Sequence, residues 1–149
     1  YEIGRNVSTD VEEIKNFLLS HDKYTLYSTY QSLPVLGEAL KILNEIIDLV
    51  ICDEAHKTSG LKNALFGYIH HNENIAVKKR LYMTATPRIV SKTIKKNLKE
   101  NLDIIADMSD IAVYGKEFYR MSSGEAIERK ILVDYQIIAI GVSDVEVQN

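Results

Sequence analysis

The sequence predicts an α/β protein whose strands lie in a parallel sheet. Helical and strand patterns alternate along its 149 residues, which is how layered α/β folds are written. The run "DLVIC", residues 48–52, is apolar almost throughout, as a parallel strand covered on both faces requires. It stops at two adjacent acids, Asp53 and Glu54, and the carboxyl ends of such strands are where open parallel sheets bind their ligands.

The elements follow in order. Thr9-x-x-Glu12 reads as a capping box ahead of Val11, Ile14 and Leu18 and predicts the first helix. "YTLYST", residues 24–29, is rich in β-formers and predicts a strand. Pro34 suits the first turn of a second helix carrying Leu36, Leu40, Leu43 and Ile47. After the 48–52 strand, residues 61–71 predict a short helix and "RLYMTA", 80–85, a third strand. Thr86 and Pro87 then supply the cap and first position of a helix over about 88–100. Ser122-x-x-Glu125 caps another short helix, and "YQIIAIGV", 135–142, predicts the last strand. No repeat, low-complexity tract or linker divides the chain, so it reads as one domain or a part of one.

Composition narrows the function classes. Apolar residues make up 46% and charged residues 26%, which suits a soluble protein with a real core. Asp48 breaks the longest apolar run well short of a bilayer span, and no basic-then-apolar leader is present. The lone Cys52 excludes an internal disulfide, reads as a small buried hydrophobe and suits a cytoplasmic location. A net charge of −3 argues against nucleic-acid binding by bulk field, leaving any such contact to local groups. Lys92, Lys95, Lys96 and Lys99 fall at helical spacing and read as a solvated face. His21, His70 and His71 have no ligand partners at metal-site spacing and read as surface histidines.

The chemistry concentrates in two short motifs. Adjacent strand residues point to opposite sides, so Asp53 and Glu54 can serve two tasks. One acid can hold a hydrated Mg²⁺ while the other polarises a water attacking a phosphoryl group. Two acids after a strand can also be a simple cap. The four letters "DEAH", however, arise by chance in only roughly one chain per thousand of this length. "TATP", residues 84–87, follows at the end of the next strand and places two hydroxyls within reach of His56 or Glu54.

"DEAH" followed by "TATP" about 30 residues later resembles motifs II and III of the superfamily 2 helicases and translocases. With "YTLYSTYQSLPVL", "DLVICDEAHKTSG", "RLYMTATPR" and "VYGKEFYRMSSGEAIERKILVDYQIIAI", the chain is similar to the restriction-enzyme branch, the translocase subunits of type III and related systems. The resemblance implies a parallel-sheet, RecA-like P-loop NTPase lobe. It implies that Asp53 coordinates the Mg²⁺ of Mg-ATP through water and that Glu54 is the catalytic base. His56 couples that site to Thr84 and Thr86, which link hydrolysis to movement on the nucleic acid. Thr29 and Gln31 of "STYQS", residues 28–32, and Arg88 become contacts to a nucleic-acid backbone, where neutral donors serve as well as cations. The implied partners are duplex DNA, ATP, and restriction or methyltransferase subunits, with no membrane.

The chain departs from that pattern in one respect. No G-x-x-x-x-G-K-[ST] occurs in it, and this loop supplies the amides and lysine that cradle phosphates. Residues 1–149 therefore read as the C-terminal part of a first RecA-like lobe, carrying motifs Ib, II and III, without the P-loop strand or a second lobe. Such a piece is expected to hydrolyse ATP poorly by itself. A missing strand beside "TATP" leaves a sheet edge open to repacking, to a nonstandard terminal strand or to self-association. Two further readings stay open: a non-catalytic nucleic-acid-binding or interaction module with this fold, and an RNA helicase or other nucleic-acid-dependent ATPase.

Overall fold

The computed structural model describes residues 7–59, 65–89 and 107–136. They fall into two units, Tyr1–Gly115 and Lys116–Asn149, and the first holds both strands. Its elements are α1 (Val11–Leu19), a 3-10 turn (Tyr30–Ser32) running into α2 (Leu33–Leu43), and β1 (Ile47–Cys52). Two 3-10 segments (Ala55–Thr58 and Leu65–His70), β2 (Val77–Tyr82) and the one-turn α3 (Ile111–Tyr114) follow. No helix among the described residues is long and apolar enough to cross a membrane.

β1 and β2 pair in parallel, with Ile47 opposite Val77 and Cys52 opposite Tyr82. The ladder runs past the strands proper: Met83 N–H donates to Cys52 O at 2.9 Å and Ala55 N–H to Met83 O at 2.8 Å. These bonds carry the residues after β1 alongside those after β2. Among the described residues the sheet has only these two strands, and β2 has no second neighbour.

The apolar positions of α1 and α2 close one face over a core of Leu18, Leu33, Leu40, Cys52, Ala55, Ile69, Ile75 and Val77. Gly37 in α2 lets the Leu65–His70 segment approach: a Cβ there would sit 2.9 Å from both Asn74 O and the Tyr68 hydroxyl. Leu49 and Ile51, which alternate with the core-facing residues of β1, are 51% and 55% exposed. The expectation that this strand is covered on both faces is thus corrected among the described residues, where one face only is packed.

Several sequence expectations are revised. α1 is capped by Asp10, whose Oδ1 accepts from Glu13 N–H at 3.0 Å, and not by Thr9. Residues 24–29 form no regular element and join no ladder; Tyr24 and Leu26 anchor on the core while Tyr27 faces solvent. α2 ends at the left-handed Asn44, so Ile47 opens β1 and does not extend the helix. The short helix expected over 61–71 is a 3-10 segment from Leu65, with 60–64 outside the described residues. β2 ends at Tyr82, before the expected Ala85, and residues 88 and 89 are not helical. The remainder of the 88–100 helix and of the 135–142 strand, with Lys92, Lys95, Lys96 and Lys99, lies outside the described residues.

In the second unit α4 (Ser123–Glu128) is capped as its sequence predicts: Ser122 Oγ accepts from Glu125 N–H at 3.1 Å. An i,i+4 pair of Arg129 with Glu125 follows it at 2.6 Å.

Candidate active site at the strand ends

The acids do not continue the strand. β1 stops at Cys52, Asp53 enters a turn, and Glu54 takes the left-handed conformation with φ 50° and ψ 43°. What separates their side chains is therefore this turn, and not the two-sided alternation of a strand. Asp53 Oδ1 accepts from Glu54 N–H at 2.8 Å, and the Tyr30 hydroxyl donates to Asp53 O at 2.7 Å. Lys57 N–H then donates to Glu54 O at 2.9 Å, opening the Ala55–Thr58 turn that carries His56.

Because Met83 bonds to both Cys52 and Ala55, the segment after β2 runs beside this turn. The His56 imidazole meets it: Nδ1 lies 2.8 Å from Thr84 Oγ1, 3.3 Å from Thr86 Oγ1 and 3.2 Å from Glu54 Oε2. Thr84 Oγ1 also accepts from Thr86 N–H at 3.1 Å, which folds 84–86 into a tight turn. The hydrogen bonds of Nδ1 go to the two threonines, and the Glu54 carboxylate stands beside the ring at ion-pair distance. The His56 side chain is 17% exposed and that of Glu54 53%. The ring is thus a fixed partner, and the carboxylate is open to water.

The structure brings Asp53, Glu54, His56, Thr84 and Thr86 to one rim. Thr29 and Gln31 are exposed at the turn before α2, with Thr29 Oγ1 3.0 Å from Ser32 Oγ. Arg88 is exposed beyond the Thr84–Thr86 turn, where its carbonyl accepts from Met108 N–H at 3.1 Å. A separate cavity of about 350 Å³ lies at the other, amino end of the strands, lined by Leu40, Lys41, Asn44, Asn72 and Asn74 among others. It does not include the acids. Arg80 is committed to structure, since its guanidinium donates to Ile69 O, Asn72 Oδ1 and Ile75 O.

Beneath the Ala55–Thr58 turn lies a network the sequence did not reveal. His70, expected at the surface, is half-buried. Its Nε2 is 3.2 Å from Thr58 O, and since a carbonyl only accepts, Nε2 carries the proton. Nδ1 therefore accepts from the Tyr82 hydroxyl at 2.9 Å. The Thr58 hydroxyl donates to Ala55 O at 2.7 Å and so accepts from Tyr114 at 3.2 Å. This arrangement requires a neutral imidazole, and burial, with Arg80 and His71 nearby, holds the His70 pKa below its ordinary value. Burial likewise raises the phenols of Tyr82 and Tyr114 and pushes the Cys52 thiol up to about 11. Cys52 is thus a packed hydrophobe. The Tyr114 hydroxyl also lies 3.4 Å from His70 Nε2, so the partners of His70 lie 12 and 44 residues away, which left no local sequence signal.

The family model described as "Type III restriction enzyme, res subunit" matches residues 3–89, a span that takes in both strands and the His56 cluster. The chain belongs to this family. Among solved structures, the chain is similar to a nuclease-deletion mutant of the Type ISP restriction-modification enzyme LlaGI in complex with a DNA substrate mimic. The identity is 36% and the TM-score 0.69, over 91% of this chain and 11% of that one. It is also similar to the ATP-dependent Type ISP restriction-modification enzyme LlaBIII bound to DNA, with 39% identity and a TM-score of 0.68, over 90% and 10% of the two chains. The fold is accordingly part of a helicase-like, RecA-type lobe. The chain spans about a tenth of the length of the solved structures it matches. No curated protein matches it.

Proposed function

We propose that this chain is the C-terminal part of the first RecA-like lobe of an ATP-dependent DNA helicase or translocase linked to restriction, and that Glu54 is its hydrolytic base. The observation that supports this reading is the convergence of Glu54, Thr84 and Thr86 on Nδ1 of His56. A half-exposed carboxylate on a fixed turn can orient and deprotonate a water at the terminal phosphate of ATP. His56 ties that carboxylate to the segment after β2, so a displacement on either side is felt on the other.

Asp53 is the residue that would hold the Mg²⁺ of Mg-ATP. One of its oxygens is taken by Glu54 N–H, and the other has no partner among the described residues. No group of three or more His, Cys, Asp and Glu residues among the described residues could enclose a metal. Mg²⁺ in nucleotide sites keeps several waters and takes one or two carboxylates together with substrate phosphates, so this donor set fits. When bound, the ion neutralises phosphate charge. Thr29, Gln31 and Arg88, exposed as they are, suit contacts to the backbone of duplex DNA, and restriction or methyltransferase subunits are the accompanying partners.

The test is Glu54→Gln in the full-length protein. ATP affinity is expected to stay within about twofold, while turnover falls by roughly 10²-fold or more, the usual contribution of a general base. Duplex DNA, and not RNA, is expected to stimulate the parent. Unchanged turnover in the variant removes Glu54 as the base. A parent that hydrolyses nothing leaves the non-catalytic module as the reading.

A further inference from the structure

We infer that the Tyr30 hydroxyl is a positioning group that ties the DNA-contact segment to the hydrolytic base by clamping the Asp53–Glu54 peptide. The inference rests on the function proposed above and adds a residue that reading does not use.

One peptide plane is held at both ends. Its carbonyl, Asp53 O, accepts from the Tyr30 hydroxyl at 2.7 Å. Its amide, Glu54 N–H, donates to Asp53 Oδ1 at 2.8 Å. The next torsion is the φ of Glu54, which at 50° lies in the left-handed region, a conformation that a glutamate keeps only when its surroundings hold it there. Turning the 53–54 plane changes that torsion directly, and with it the aim of the carboxylate that now reaches His56 Nδ1 at 3.2 Å.

Tyr30 stands between the two exposed residues proposed to touch the nucleic-acid backbone, Thr29 and Gln31, and begins the 3-10 turn leading into α2. Its ring is half-buried and packs edge-on against Phe66, with centroids 6.0 Å apart and planes at 80°. A tyrosine has only two side-chain torsions, so a ring fixed in this way moves with its backbone. A backbone contact that shifts residues 29–31 therefore shifts the hydroxyl and the peptide it holds. Burial, with Cys52 and Asp53 close by, raises the Tyr30 pKa well above the ordinary phenol value, which keeps the hydroxyl a donor.

Tyr30→Phe in the full-length protein removes the hydroxyl alone. The expected result is at least a fivefold fall in the ratio of DNA-stimulated to DNA-free ATP turnover, with Kd for duplex DNA unchanged within twofold. A ratio equal to the parent's overturns the inference, as does an equal fall in both rates, which marks a merely structural role. Should the variant melt several degrees early, Phe66→Leu reads the same link, because it loosens the ring and keeps the hydroxyl. A partial fall in the ratio is expected there, and full stimulation overturns the proposal. A parent without DNA-stimulated turnover sinks the functional reading itself, whereas normal stimulation in Tyr30→Phe, with Glu54→Gln inactive, sinks only this inference.

Discussion

Acidification should weaken the fold through His70, and the size of the effect follows from its hydrogen bonds. The imidazole is neutral, donating from Nε2 to Thr58 O and accepting at Nδ1 from the Tyr82 hydroxyl. Burial of the ring is the main thing that disfavours its charged form, and a second proton also places a cation near His71 and Arg80. The folded pKa is therefore lowered, while in the unfolded chain it stays near about 6.5. The unfolded state then binds more protons below that value, so stability is full above about pH 6.5 and is lost as pH falls towards the folded pKa. For one group whose folded form resists protonation, going from pH 7.5 to 5.5 costs at most about 1.4 kcal/mol. Partial exposure of the ring screens the effect, and roughly 0.5–1 kcal/mol is expected. Urea unfolding at the two pH values, on the parent and on His70→Gln, measures it. The variant should be less stable at pH 7.5 but lack the extra loss at pH 5.5. An identical pH dependence in both proteins would refute the assignment.

Two more outcomes follow from the packing. Gly37→Ala gains about 1 kcal/mol of helix propensity, but its methyl meets Asn74 O and the Tyr68 hydroxyl at 2.9 Å; overpacking against backbone costs about 1–3 kcal/mol, so a net lower urea midpoint is expected and a higher one contradicts the close approach. Thr84→Val keeps the shape but loses the contact with His56 Nδ1 and the acceptor for Thr86 N–H, at about 0.5–1.5 kcal/mol each; a midpoint equal to the parent's shows that the His56 cluster is not held through Thr84.

The parts of the fold legible in the sequence were those written in local code. The apolar run at 48–52, the proline opening α2 and the serine cap at Ser122 each name an element through nearest neighbours. The cap of α1 was nearly legible, since Asp10-x-x-Glu13 stands beside Thr9-x-x-Glu12 as an equally good box, and only the start of the helical turn decides between them. Residues 24–29 show the limit of propensity: β-branched and aromatic residues favour a pleat, but a strand exists only with a partner. Ile47 continued the apolar spacing of α2 and so looked helical, although the left-handed Asn44 ends that helix three residues before it. At the site, the rim shared by "DEAH" and "TATP" was legible because two parallel strand ends must lie side by side. The His70–Tyr82–Tyr114 network and the bond from Tyr30 to Asp53 were not, because each joins residues far apart in the chain.

The conformation of Glu54 ties stability to the proposed chemistry. A left-handed glutamate costs about 1–2 kcal/mol, and its side chain offsets only part of that, since a half-exposed contact to histidine is worth about 1 kcal/mol at most. The main chain can offset the rest. Tyr30 to Asp53 O, Ala55 N–H to Met83 O, Met83 N–H to Cys52 O and Lys57 N–H to Glu54 O all depend on the path the chain takes through this residue. At about 0.5–1.5 kcal/mol net each, they supply roughly 2–6 kcal/mol. The turn is therefore held by its neighbours, and three of the four bonds come from outside the turn: two from the end of β2 and one from the segment before α2. Loosening either neighbour removes part of what keeps Glu54 in place. A carboxylate held in this way can be moved by the two segments proposed to sense DNA and to couple hydrolysis to motion, whereas a carboxylate resting in a relaxed helix or strand would stay put when they shift.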